Sequence, residues 1–284
     1  MTGKVRKAVF PVAGLGTRLL PATKSIPKEL IPVVDRPLIQ YAVDEARDAG
    51  IEEMIFVTGR GKSALVDYFD LGFELEATMA KAGKSLEPLE PARAGFGEVV
   101  TVRQQQPLGL GHAVWCARHV VGDEPFAVLL ADDLMVPGAL RQMVEAWEEV
   151  GGNLVATEEV PAEKTKAYGI ITPGETRGKL TEVLGLVEKP EPAQAPSRLG
   201  VIGRYILQPD VMRVLDARET GAGGEIQLTD ALARLIGRQP FHALAVDSVR
   251  HDCGDKAGFV IANLALALER DDLAPKIREF IARL

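Results

Sequence analysis

The chain has 284 residues, 46% hydrophobic and 26% charged, with a formal net charge of −7. That is enough apolar side chain for a large buried core, and nothing in the composition marks disorder. The acidic balance excludes nucleic acid or an acidic membrane as the main partner, since both recruit basic faces, so an anionic ligand must meet a local cationic cluster. No stretch approaches the ~20 apolar residues of a membrane span. The apolar run behind Lys4, Arg6 and Lys7 breaks at Pro11, unlike a signal peptide. A cytoplasmic protein is expected, with Cys116 and Cys253 reduced and lacking metal-ligand spacing.

In chain order, strands are predicted over Val5–Val12, Met54–Thr58, Val99–Val102, Phe126–Ala131 and Leu154–Glu158. Between them Leu38–Ala49, Gly111–His119 and Ala139–Val150 carry apolar residues at helical spacing. This alternation predicts an α/β fold with a doubly wound, mostly parallel, Rossmann-like sheet and ligands at the carboxyl ends of its strands. From about Tyr168 the pattern becomes β-rich, with Gly169–Ile171, Leu180–Val187 and Leu199–Leu207 separated by turns. It reads as an added acceptor-binding β lobe. Helices follow at Gln227–Ile236, Lys256–Arg270 and Leu273–Leu284. We expect a single domain over 1–284, with a first half to about 165, a second half over about 166–255, and C-terminal helices over about 256–284. Residues 71–97 read as a helical insertion and loop without a legible role.

Directly after the first strand comes Pro11-Val-Ala-Gly-Leu-Gly-Thr-Arg-Leu-Leu-Pro21. Gly14 and Gly16 are expected to adopt positive φ and turn their amides toward phosphate oxygens, with Arg18 and Lys28 supplying charge. The segment is neither a Walker loop nor a dinucleotide fingerprint, whose third glycine is replaced by Leu19. Further on, Gln106 offers a donor and an acceptor that match the edge of uracil, and Gly111 opens a helix whose first amide lies near. Isolated glutamines are ordinarily solvated, and this one does not separate uracil from thymine. Asp132-Asp133 ends an apolar strand; one carboxylate reaches a metal while the other braces a loop, the alternative being a helix-capping pair. Asp252 supplies a further carboxylate at a turn. The four histidines are scattered and no nucleophile elbow is present, so a catalytic triad is not expected.

The Gly16-Thr17-Arg18-x-x-Pro21 step together with Pro27-Lys28-Glu29 resembles the sugar nucleotidyltransferase family, which joins a sugar 1-phosphate to a nucleoside triphosphate. The resemblance runs from Lys7 to about Leu268 and is strongest to the family's bacterial uridylyltransferase branch. It implies attack of glucose 1-phosphate on the α-phosphorus of UTP, giving UDP-glucose and pyrophosphate with Mg2+ as cofactor. It implies a nucleotide site at Ala13, Gly14, Gly16, Thr17, Gln106 and Gly111, and catalytic cations at Arg18, Lys28 and Lys189. A sugar-phosphate site is implied at Gly169, Glu188, Lys189, Gly203 and Glu225, with metal ligands at Asp132 and Asp252. Homodimers or homotetramers are implied as well, the C-terminal helices being interface candidates. Magnesium takes oxygen ligands and retains waters, so two carboxylates from distant segments suffice. A thymidylyl or other sugar-1-phosphate nucleotidyltransferase, and a non-catalytic nucleotide-sugar binding protein, remain alternatives.

Overall fold

The computed structural model describes residues 3–284. The first strand, β1 (Lys7–Pro11), leads through a glycine loop to the short pair β2 (Pro32–Val33) and β3 (Arg36–Pro37). Next come α1 (Leu38–Asp48), β4 (Glu53–Thr58), α2 (Ser63–Asp67), α3 (Phe73–Lys81) and β5 (Val99–Arg103). The chain continues with α4 (Leu110–Cys116), α5 (Arg118–Val121), β6 (Phe126–Leu129), β7 (Asp133–Val136) and α6 (Leu140–Val150). The second half contains β8 (Asn153–Glu159), β9 (Gly169–Arg177), β10 (Leu180–Glu188) and β11 (Leu199–Leu207). It closes with α7 (Asp210–Asp216), α8 (Leu228–Ala233), β12 (Phe241–Ala245), β13 (Val249–Asp252), α9 (Lys256–Glu269) and α10 (Ala274–Ile281).

Nine strands form one sheet in the order β5-β4-β1-β6-β11-β8-β12-β10-β9. In the first half β1 pairs in parallel with β4 and β6, and β4 with β5. Parallel strands are covered on both faces, which is why they read as unbroken apolar runs. Ala8 and Phe10 pack with α1 and α6, while Val9 packs with α4, α7 and α8 on the opposite face. From β11 the pairing is antiparallel, apart from β8 with β12. The β-rich second half is therefore a continuation of the same sheet, and β9 curls back to meet β11 at Ile170 and Gly200.

Several boundaries differ from expectation for local reasons. The strand expected to reach Ala131 stops at Leu129, and the Asp133 amide donates to the Leu130 carbonyl (3.2 Å) to close a turn. Asp133 then opens β7 and caps no helix. The helix expected over Gly111–His119 is split at Ala117, whose carbonyl accepts from Val120 and Val121 (both 3.0 Å). The helix expected from Gln227 to Ile236 is confined to Leu228–Ala233, with Gln227 extended and Ile236 bridging to Gln239. The insertion at 71–97 holds α3 and a 3-10 turn at Glu87–Ala92, fastened to α1 because Gln40 and Arg47 both donate to the Pro91 carbonyl (2.8 Å each). Among the described residues no helix is long and apolar enough to cross a membrane.

One buried ion pair ties the two halves together. Arg204 on β11 donates from Nε and Nη2 to the two oxygens of Glu45 on α1, at 2.9 and 2.8 Å. Its remaining donors reach the carbonyls of Leu130 (2.9 Å), Gly203 (3.0 Å) and Asp133 (2.8 Å). Glu45 also accepts from the amides of Ala139 (2.9 Å) and Leu140 (3.0 Å), capping α6 with a side chain from another helix. Burial works against the Arg204 charge, but Glu45 outweighs it and raises its pKa. Glu45→Ala strands that charge and should cost about 3–5 kcal/mol in urea unfolding. A loss below about 1 kcal/mol, the scale of an exposed pair, would show that the network does not carry this load.

Candidate active site

The parallel strands β1, β4 and β5 all point their carboxyl ends at one edge of the sheet, and the loops that leave there carry most of the predicted nucleotide residues. Ala13, Gly14, Gly16 and Thr17 follow β1, and Gln106 follows β5. Gly16 has the expected positive φ (66°), but Gly14 does not, so only one of the two glycines is required by its backbone. Gln106 is exposed. Gly111 differs from expectation: its N–H already donates to the Ile226 carbonyl (2.9 Å) and is not free for a base.

Beside this edge lies a cavity of about 290 Å³ lined by eight of the predicted residues: Arg18, Asp132, Gly169, Glu188, Lys189, Gly203, Glu225 and Asp252. The six predicted nucleotide residues are not among its lining, and Gly111 is buried within α4. Lys28 touches the cavity wall, its Nζ 2.5 Å from Asp132 Oδ2. A larger cavity of about 690 Å³ between α1, β7 and α9 contains none of the predicted site residues.

Two distant segments converge here because β7 and β13 pair antiparallel, with Asp133 opposite Asp252. Asp252 is thus the last residue of a strand, where a turn was expected. The Cys253 amide donates to the Asp132 carbonyl (2.8 Å), which fixes the two carboxylate-bearing backbones side by side. Burial opposes the Asp132 charge, but Lys28 outweighs it and holds that carboxyl below its usual range. Burial likewise opposes the Lys28 ammonium, but Asp132 and Glu29 outweigh it and hold its pKa up. Asp133 behaves differently: burial pushes its carboxyl up to about 6 against the pull of Arg250.

Of the predicted sugar-side residues, Gly169, Glu188 and Lys189 lie at strand ends, Gly203 lies within β11, and Glu225 precedes α8. Glu188 and Gly169 are register partners across the β9–β10 hairpin. Lys189, just past β10, sits at φ 48°, a strained value for a residue with a side chain, and its Nζ lies 3.1 Å from Glu188 Oε1. The Lys189 amide donates to the Tyr168 carbonyl (2.9 Å), anchoring that backbone. Gly203 faces Asp133, whose carboxylate occupies the space a β-carbon would need. Glu225 precedes α8, and Gln227 Nε2 donates to it (3.2 Å).

Two side chains, Arg250 and Lys62, escaped the sequence reading, and Glu29 and Thr229 take places it did not assign them. Arg250 on β13 lines the cavity and donates to Asp133 (2.7 Å), Glu158 (2.8 Å) and the Tyr168 hydroxyl (3.1 Å). Arg250 and Asp252 are two apart on β13 and share a face, but a strand of four residues is too short for its alternation to be read from the sequence. Thr229 also lines the cavity, with Oγ1 against Gly169. Glu29 and Lys62 form a buried pair, Nζ to Oε2 2.7 Å, that secures the turn carrying Lys28. Burial raises the Glu29 pKa although Lys62 and Lys28 both lower it.

Comparison with known proteins shows the family. The model of the family described as Nucleotidyl transferase matches residues 7–268. A UTP–glucose-1-phosphate uridylyltransferase of Komagataeibacter xylinus is 52% identical over 260 residues, covering 90% of this chain and 92% of the relative. The UTP-bound UGPase from Acinetobacter baumannii superposes with a TM-score of 0.89 at 41% identity, covering 99% of both chains. A UDP-glucose pyrophosphorylase complexed with UDP-glucose gives a TM-score of 0.84 at 42% identity, covering 94% of this chain and 100% of the other. On the extent of the family match and on these identities, the chain belongs to the nucleotidyl transferase family.

Proposed function

We propose that this protein transfers the uridylyl group of UTP to glucose 1-phosphate, forming UDP-glucose and releasing pyrophosphate. The observation that carries the reading is the convergence of Asp132, Asp252, Glu188, Lys189 and Glu225 on one cavity beside the glycine loop. Relatives of that name, highly similar over nearly their whole length, support it.

A sugar phosphate with a second pKa near ~6 is largely dianionic at neutral pH, so its oxygen is already a nucleophile and no general base is required. That oxygen attacks the α-phosphorus in line, the bond to the β-phosphate oxygen breaks, and pyrophosphate leaves with the electron pair. The protein's task is to bring two anions together and align them. Lys189 takes the acceptor phosphate, and Arg18 and Lys28 take the β- and γ-phosphates. Glu188 and Glu225 accept from hexose hydroxyls at the cavity wall formed by Gly169 and Gly203. Gln106 reads the pyrimidine edge beyond Ala13, Gly14, Gly16 and Thr17, while Gly111 packs its helix against the Ile226 backbone. At an effective dielectric near 20, one opposite charge at ~4 Å is worth about 4 kcal/mol, so three such cations offset much of the repulsion.

Asp132 and Asp252 fit a magnesium ion. Both present carboxylate oxygens to the cavity, Asp252 keeps Oδ2 3.9 Å from Arg250 while Oδ1 accepts from the Gly254 amide (2.9 Å), and hard cations prefer such donors. Among the described residues no third His, Cys, Asp or Glu completes a cluster, which matches an ion that draws its other ligands from phosphates and water. When bound, magnesium supplies charge neutralisation to the phosphates. The same reading makes this a cytoplasmic enzyme with one catalytic domain. It assembles as a homodimer or homotetramer through its C-terminal helices, where Val260, Ile261 and Phe280 expose apolar surface.

The reading is tested by pyrophosphate release across a panel of nucleoside triphosphates and sugar 1-phosphates; UTP with glucose 1-phosphate should be the preferred pair. Lys189→Ala should lower kcat by about 10²–10³-fold with UTP binding nearly intact, and wild-type turnover in that variant would remove Lys189 from the chemistry. Asp132→Asn and Asp252→Asn should each shift the magnesium titration to higher concentration; a titration unmoved by both disposes of the two-carboxylate site. Gln106→Ala should narrow the preference for pyrimidine over purine triphosphates more than it weakens triphosphate affinity, which competition binding reads directly.

A further inference from the structure

One face of α4 gathers basic and aromatic side chains that the reaction does not use. Trp115 has the Arg118 guanidinium carbon 3.6 Å from its ring centre and that of Arg218 4.7 Å away. His112, one turn earlier, stacks on the same indole with centroids 5.8 Å apart and planes 23° apart. The two cations therefore lie within about 8 Å of each other, a Debye length at physiological ionic strength, and repel. The neighbouring carboxylates are engaged elsewhere: Asp216 accepts the indole N–H (3.1 Å), Glu219 pairs with Arg234, and Asp210 pairs with Arg213. Two guanidiniums against one carboxylate leave this patch positive in a chain of net charge −7. Burial, with Arg218 and Arg118 adding to it, holds the His112 imidazole below its usual range. Arg218 follows α7 at φ 50°, a left-handed position where glycine is usual, so a charged side chain is kept there against a backbone penalty. None of these residues lines the catalytic cavity.

We propose that Arg118 and Arg218, held on Trp115, form a second anion site outside the catalytic cavity that takes a phosphate group. A guanidinium presents a planar fork of donors that matches phosphate oxygens. Arg118 commits one nitrogen to the Trp115 carbonyl (3.2 Å), and the Arg218 guanidinium donates to no group among the described residues, so most of the donors are free. Cation–π attraction holds both forks on one ring before any ligand arrives, so little side-chain freedom is lost on binding. A bound phosphate supplies the counter-charge that the two arginines lack. Free orthophosphate and a diphosphate group carry the same chemistry, and the site stands whether or not the transfer reaction is the one proposed above.

The chain has two tryptophans, which makes the test selective. Trp147 is 1% exposed with its indole N–H on the Gly152 carbonyl (2.8 Å), so a dissolved ion reaches only Trp115. Titration with inorganic phosphate, at ionic strength held constant with potassium chloride, should change tryptophan fluorescence saturably and protect Trp115 from iodide quenching. Arg118→Gln and Arg218→Gln, checked for folding by circular dichroism, should each raise the half-saturating phosphate concentration by roughly tenfold, the loss of one charge-assisted donor group. Lys189→Ala, which removes a cation from the catalytic cavity, should leave the titration as in the wild-type protein. A parallel titration with pyrophosphate separates the two sources, the lower half-saturation showing whether one phosphate or two fill the site. A response no different from that to potassium chloride overturns the proposal. So does a saturable response that survives both arginine substitutions or disappears in Lys189→Ala, because the ion then sits among the catalytic groups. In the wild-type protein alone, iodide should quench more strongly than caesium, and the reverse order overturns the site even if neither arginine variant folds.

Discussion

The arrangement depends first on a guanidinium and a carboxylate that have left water together. Removing both charges from solvent is expensive, and the pair is tolerable only because each remaining donor and acceptor is satisfied. Arg204 binds Glu45 through two nitrogens and spends its other donors on the carbonyls of Leu130, Gly203 and Asp133. Those carbonyls bracket the turn that displays Asp132. Glu45 in turn caps the first amides of α6. A helix, a central strand and the carboxylate turn are therefore held by one network, which has few alternative arrangements of equal energy.

Around that frame the reactive charges are paired in advance. Lys28 lies on Asp132 (2.5 Å), Lys189 near Glu188 (3.1 Å), and Arg250 on Asp133 (2.5 Å). Each cation is thus held in place with its charge largely compensated, and the cavity lining carries more carboxylate than cation. An anionic substrate must compete with these carboxylates for the cations, and it gains most when additional positive charge arrives with it. The site's selectivity for phosphates is therefore conditional, which suits a reaction whose two substrates are both anions. Preorganised groups of this sort contribute most when they need not move during the chemical step.

Much of this was legible in the chain. The first-half strands stand out because both of their faces are buried, so Ala8–Phe10 and Met54–Val57 read as unbroken apolar runs. The glycine loop, the Lys28 turn and the Glu188-Lys189 strand end were visible as motifs, since each is contiguous. What stayed hidden is long-range. The pairing of β7 with β13 joins residues more than a hundred positions apart, and four-residue strands leave too little alternation to announce it. Arg204 gave no sign of its role because its partner, Glu45, looks like an ordinary polar position on an amphipathic helix. Gly111 read as an offered amide; whether that amide was already used depended on Ile226, in a different segment.

The left-handed backbone at Lys189 has a further meaning. A glycine would occupy that conformation without penalty, whereas a side-chain-bearing residue loses about 1–2 kcal/mol there. The fold on its own would therefore gain from glycine at this position. On the role proposed for Lys189, a variant hardened by glycine at this position would gain stability and lose its grip on phosphorylated sugar together.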